Sequence, residues 1–166
     1  MSHGSVTNKT FSFLILIELN FSVGNFVNFG VFHLYSDPSF DNCLQVFLSI
    51  LGSVKQKTLL CYPKLTSSYF SLIDTMSTVQ IDFLANLATP LFGYVLETVS
   101  EGFISPETTI QNCCCSFLET FLSYLFRSVK KKNASANLLA NVNKYEGLFR
   151  QILVNLLNSI IYAECK

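Results

Sequence analysis

Residues Ser105 to Leu125 read SPETTIQNCCCSFLETFLSYL, and this stretch decides the fold class. Ser105 is a good N-cap side chain. Pro106 suits the first helical position, where its missing N–H leaves no bond unmade. Beyond it Ile110, Cys113, Cys114, Phe117, Leu118, Phe121, Leu122 and Leu125 recur at helical spacing, so the segment predicts a long helix with one buried face. Cys114 falls near the centre of that stripe, with Cys113 and Cys115 on opposite flanks.

The same punctuation returns at each of the four prolines, none of which interrupts an apolar stripe. Asp37-Pro38 precedes Phe40, Cys43, Leu44, Phe47, Leu48 and Leu51, a stripe that closes near Gly52. Pro63, with Tyr62 as a poorer cap, precedes Leu65, Tyr69, Leu72, Ile73 and Met76. The phase then slips between Ser77 and Gln80 and resumes at Phe83, Leu84 and Leu87, which predicts two helices or one broken helix. Thr89-Pro90 precedes Leu91, Phe92, Val95, Leu96 and Val99, with Gly102 expected as a left-handed stop. The run Arg127 to Lys132, RSVKKK, leads into the Asn-rich stretch 133–144, which reads as an exposed loop with at most one helical turn. A last helix carries Leu148, Phe149, Ile152, Leu153, Leu156, Leu157, Ile160 and Ile161.

Helix starts near 38 and 90, and near 63 and 106, stand about 52 and 43 residues apart, compatible with helical-hairpin repeats of ~40–47 residues. The expected fold is therefore all-α, a stack of antiparallel helical hairpins of the HEAT-like solenoid kind. One stretch departs from it. Phe11, Phe13, Ile15, Ile17, Leu19, Phe21 and Val23 alternate as a strand would, although a helical chain offers no sheet for them to join.

Composition narrows the function. The 166 residues are half hydrophobic and only 13% charged, with a mean hydropathy of +0.41, so disorder is excluded. Eleven basic and eleven acidic residues cancel, which removes the global positive field of a dedicated nucleic-acid binder or a polybasic membrane protein. The longest near-unbroken apolar run, Phe11 to Ile17, is seven residues and stops at Glu18, where a spanning helix needs about twenty. No nucleic-acid or membrane partner is expected. The six cysteines have neither the density nor the spacing of a disulfide scaffold and point to a reducing compartment. Three consecutive Cys on a helix face about 100° apart and cannot converge on one metal.

Catalysis needs a convergent set of activated groups. The chain has only His3 near its start and His33 among aromatics, and no Gly-rich phosphate loop. A cysteine of the 113–115 run served by His33 is the one nucleophilic arrangement worth naming, and packing explains both better. No catalytic residue, cofactor or metal is expected. Charge is more informative. From Leu65 to Phe126 there are six acids, Asp74, Asp82, Glu97, Glu101, Glu107 and Glu119, and no Lys, Arg or His. Residues 1–64 carry four bases and three acids, and 127–166 seven and two. The middle helices thus present an acidic face, either plain solvated surface or a surface that attracts a basic partner.

Asn25 to Leu51 (NFVNFGVFHLYSDPSFDNCLQVFLSIL), Tyr62 to Asp74 (YPKLTSSYFSLID), Ser100 to Phe126 (SEGFISPETTIQNCCCSFLETFLSYLF, with its triple Cys) and Asn158 to Cys165 (NSIIYAEC) resemble, in this order, the C-terminal part of the exportin-seven type nuclear transport receptors, also called Ran-binding protein sixteen and seventeen. The resemblance covers residues 24–166 and leaves 1–23 as a divergent N-terminal segment. It implies an importin-beta-superfamily α-solenoid that shuttles through the nuclear pore between nucleus and cytoplasm. Such a receptor exports protein cargo with GTP-bound Ran, contacts nuclear pore proteins, and does no chemistry of its own. It further implies that the main Ran-binding repeats are absent from this chain, and that its acids meet basic cargo if their helices line the inner side of the arch. Glu119, about 150° from the centre of the Ile110–Leu125 stripe, is the best placed of them. Asp74 is placed less cleanly, and Asp82, Glu97, Glu101 and Glu107 lie near helix ends. The competing reading is a compact helical bundle with a hydrophobic ligand pocket or weak hydrolase activity. Stacking in one direction, as against wrapping a centre, discriminates the two.

Overall fold

The computed structural model describes residues 56–163 together with Asn42, Gln45, Val46, Leu48, Ser49 and Gly52. The strand-like alternation at 11–23, His3 and His33 lie outside the described residues, as does most of the stripe after Pro38. Of that stripe Leu48 is buried and helical. The chain divides into two compact units, 1–75 and 76–166.

In the first unit α1 (Gln56–Leu60) leads into α2 (Pro63–Val79), which continues into the second unit. Pro63 is the first helical residue, as its fixed φ favours. Thr66 Oγ1 donates to Leu59 O and Tyr62 O, both at 3.0 Å, and so ties the turn between the helices. Leu65, Tyr69, Leu72 and Ile73 are all buried, at the spacing the sequence predicts.

The second unit continues with α3 (Ile81–Ala85), α4 (Thr89–Gly102), α5 (Thr108–Lys130), α6 (Ala136–Lys144) and α7 (Glu146–Ala163). The break expected after Ser77 falls at Gln80, whose φ of −132° and ψ of 43° are not helical. Helix α3 packs on α5; α4 packs on α5 and on both α6 and α7. Packing thus skips an arm twice, α3 on α5 and α4 on the α6–α7 arm, in the manner of successive hairpins in a helical solenoid. The described residues are helical and contain no strand, so the fold is the all-α one expected.

The core of this unit is aromatic. Phe121 stacks on Phe117 at 5.9 Å and on Phe149 of α7 at 6.1 Å. Phe92 of α4 lies 5.6 Å from Phe121 and 6.1 Å from Tyr145. Such pairs contribute about 0.5–1.5 kcal/mol each beyond the area they bury. Of the residues on the α5 stripe, Ile110, Cys114, Phe117, Leu118 and Phe121 are buried, whereas Leu122 is exposed and Cys113 and Leu125 are half-buried. The apolar arc of α5 is wider than the face its neighbours cover.

Three local expectations are corrected. Helix α4 begins at Thr89 with Ala88 as N-cap, and α5 begins at Thr108 with Glu107 as N-cap, neither making a side-chain cap bond. The Thr89 carbonyl is instead used by Tyr145, while Ser105 Oγ accepts from Glu107 N at 3.3 Å. Gly102 stays inside α4 as its last residue, and Phe103 follows in right-handed conformation. The turn is held by Gln111 Nε2, which donates to Ser105 O at 2.9 Å, so no left-handed stop is needed there.

The Asn-rich stretch is not a loop but α6, with Ser135 as a true N-cap accepting from Leu138 N at 3.1 Å. Two of its asparagines, Asn137 and Asn141, reach the turn between α3 and α4. Asn137 Nδ2 donates to Asn86 O and Leu87 O at 2.9 and 3.1 Å, and Asn141 Nδ2 donates to Leu87 O at 2.9 Å. Ser135 Oγ–H donates to Asn86 Oδ1 at 2.6 Å, and Tyr145 OH donates to Thr89 O at 3.0 Å. Tyr145 reaches that carbonyl because position 93 has no side chain, and a Cβ there would run into the phenol ring.

At the far end of α5 the chain turns through a Schellman motif. Lys132 N bonds Val129 O, and Asn133 N bonds Ser128 O. The left-handed position, where glycine is usual, is occupied by Lys132 at φ 55°. Two outcomes follow for stability. Lys132→Gly should stabilise the fold by about 0.5–1 kcal/mol by relieving that conformation. Gly93→Ala should destabilise it by about 1–3 kcal/mol through overpacking, with Tyr145→Leu in the same chain recovering part of the loss. Urea unfolding followed by circular dichroism measures both.

Candidate functional site

The six acids expected to face a partner do not form one cluster. Glu97 and Glu101 are exposed on α4, Glu107 is the exposed N-cap of α5, and Asp74 is half-buried on α2. Two of them lie on helices that pack together. Glu119 lies on the solvent side of α5, as its angular position predicts, and Asp82 lies on α3, the helix packed against α5.

Between the end of α2, α3 and α5 runs an open groove of about 360 Å³. Glu119, Thr120, Ser123, Tyr124 and Arg127 form its α5 wall, and Ser77, Thr78 and Ile81 form the other. Tyr124 OH donates to Asp82 Oδ1 at 2.7 Å across the two helices. That bond holds the Tyr124 phenol above its usual value, with burial adding to the shift. The groove offers hydroxyls, one carboxylate along its wall, a second at its rim and one guanidinium. It is a surface for polar contact.

Cys114 is buried, and the Cys115 thiol is pushed up from its ordinary value by desolvation, the opposite of an activated nucleophile. No group of His, Cys, Asp or Glu able to hold a metal occurs among the described residues. The apolar gap enclosed by Leu84, Leu87, Phe92, Val95, Leu96, Phe117 and Phe121 leaves no room even for a water molecule. A hydrophobic ligand pocket is therefore not what the Phe-rich core provides. No described helix is long and apolar enough to cross a membrane.

Sequence reasoning missed Tyr124 and the α6 asparagines. Asn137, Asn141 and Tyr145 recur every four residues on one helical face, which is the signal that could have found them.

These features define an all-helical, solenoid-like stretch. No family model matches the chain, and no solved structure matches it. Curated proteins do. The chain is 39% identical over 152 residues to exportin-7-B of Xenopus laevis and 34% identical over 154 residues to Ran-binding protein 17 of Homo sapiens, in each case over 86% of the chain and 14% of the relative. It is 29% identical over 171 residues to Ran-binding protein 16 of Drosophila melanogaster. That match takes in 95% of the chain and so reaches into the first 23 residues, which the resemblance had set apart. The chain is an exportin-7-type sequence, and it spans about a seventh of the length of the first two relatives.

One group away from the groove reports on the fold. Tyr94 is half-buried, its hydroxyl has no hydrogen-bond partner among the described residues, and desolvation pushes its pKa from 10.0 to about 12. A pKa raised on folding means that the stabilising contribution is whole below the unfolded value of 10.0 and is lost as pH rises toward about 12. Tyr94→Phe should therefore lose less stability than the parent between pH 10 and pH 12. Thermal unfolding across that range, with phenolate absorbance followed alongside, checks the sign.

Proposed function

We propose that these residues are part of a nuclear export receptor, a helical solenoid that carries protein cargo from nucleus to cytoplasm together with GTP-bound Ran. The observation that carries the reading is the stacking of each arm on the arm after the next, in a chain similar to proteins named as exportins and Ran-binding proteins. In this reading the stretch is a cargo-facing or scaffold part of the arch. The main Ran-binding repeats, the contacts with nuclear pore proteins and the shuttling itself belong to the rest of the receptor. The stretch is not an enzyme and needs no cofactor.

Glu119 and Asp82, set on two helices that pack together, give the arch a local negative potential that steers a basic cargo surface. Asp74, Glu97, Glu101 and Glu107 add to the same field at longer range. The competing view, that all six acids only keep an apolar solenoid soluble, predicts no effect of reversing them.

In a full-length receptor carrying this stretch, Asp82→Lys with Glu119→Lys should slow association with a cargo of basic surface by about tenfold at low ionic strength and flatten its salt dependence. Unchanged rates at both low and high salt would overturn the cargo-facing role. The 166-residue chain alone should show no binding to GTP-loaded Ran tighter than about micromolar in calorimetry, because in this reading the principal contact lies elsewhere.

A further inference from the structure

Helix α5 turns a second apolar stripe away from its packed face. Leu122, Phe126 and Val129 are 47%, 68% and 51% exposed, and at 100° per residue they fall within about 60° of one another. Cys115, also exposed, lies on the same line. The buried residues Ile110, Cys114, Phe117 and Phe121 are centred about 120° around the helix from it, and the buried Leu118 lies between the two. Two charges flank the stripe, Glu119 and Lys130, both exposed and both on the same edge. With a rise of 1.5 Å per residue they stand about 8 Å on either side of the point between Tyr124 and Leu125. No ion pair among the described residues engages either of them.

We propose that this face binds a second copy of the chain, with the two α5 helices antiparallel about a two-fold axis at that point. A two-fold rotation that reverses a helix keeps each edge on its own side. Glu119 of each copy therefore meets Lys130 of the other, and Leu122 comes level with Phe126 and Val129 across the axis. The pattern is self-complementary in charge and apolar along its centre, as antiparallel helix pairs require. The chain carries no net charge, so no long-range repulsion opposes the encounter. An anionic lipid surface would attract Lys130 but repel Glu119, and it leaves the acid without a partner. Three apolar side chains per copy make a small interface by the standard of permanent complexes, so the pair is weak and concentration-dependent. It also engages Glu119, so a second copy and a basic cargo compete for that carboxylate.

Sedimentation equilibrium of the 166-residue chain, without cargo, tests the proposal independently of the export reading. The expected result is a monomer–dimer equilibrium weakened about tenfold or more by Phe126→Glu. Glu119→Lys and Lys130→Glu should each weaken it, and the two together should restore it by exchanging the charges. Helix α7 also exposes Leu153, Leu157 and Ile161, so Leu157→Glu serves as the control and should leave the dimer unchanged. A monomer at every concentration, a double exchange that fails to restore pairing, or equal sensitivity to Leu157→Glu would each overturn the proposal. Should Phe126→Glu lose its helical circular dichroism, the charge exchange on the outer edge of α5 decides alone.

Discussion

The carbonyl of Leu87 accounts for more of this fold than any apolar contact. Helix α3 ends at Ala85 and α4 begins at Thr89; Ala88 O accepts from Leu91 N and Phe92 N, whereas the Leu87 carbonyl lies between the helices, without the donor a continuous helix would give it. Leu87 is itself buried, and a buried carbonyl left unpaired costs on the order of 1–3 kcal/mol. Asn137 and Asn141 satisfy it with two donors. Once they do, α6 has one register against the turn, Tyr145 is brought to Gly93, and α7 is directed back along α4. The stack of Phe149 on Phe121 completes a geometry that the amides have already selected.

This explains which parts of the structure could be read in the sequence. Apolar spacing and proline placement are local signals, and they located α2, α4 and α5 with most of their buried faces. The caps were displaced by one or two residues: Thr89 became the first helical residue of α4, and Ser105 Oγ accepts from Glu107 N, the N-cap of α5. The α6 helix was hidden for a different reason. Asparagine disfavours helices by competing for nearby backbone, and here the carbonyls it binds lie about 50 residues away in sequence. Composition carries no trace of such a partner. The same holds for the groove. The outward position of Glu119 follows from counting residues, whereas the pairing of Tyr124 with Asp82 joins groups 42 residues apart.

Helix α5 unites these features by presenting three different surfaces. One is buried against α3, α4 and the start of α7 through Phe117 and Phe121. A second forms the polar groove with α3. The third is the apolar outer stripe, ended by an acid toward the N-terminus and by bases toward the C-terminus. The C-terminal bases Arg127 and Lys130 also sit where the helix dipole favours positive charge. A helix inside a solenoid can be used from both sides in this way, because stacking covers only the faces turned to adjacent arms. The chain matches about a seventh of the length of its exportin-7 relative, and a repeat of this kind can bear both scaffold and contact surfaces.

The hydrogen bonds between α4 and the α6–α7 arm are unevenly distributed, and this has a mechanical consequence. At the start of α4, the Ser135, Asn137, Asn141 and Tyr145 side chains make five bonds between 2.6 and 3.1 Å. At its far end Asn155 Nδ2 reaches Ser100 Oγ at 3.3 Å. Directional bonds resist sliding and loosen abruptly, while apolar contact yields gradually. The pair therefore behaves as a leaf spring clamped at one end. Among the described residues, the directional bonds that fix the register gather at the Leu87 end of the pair.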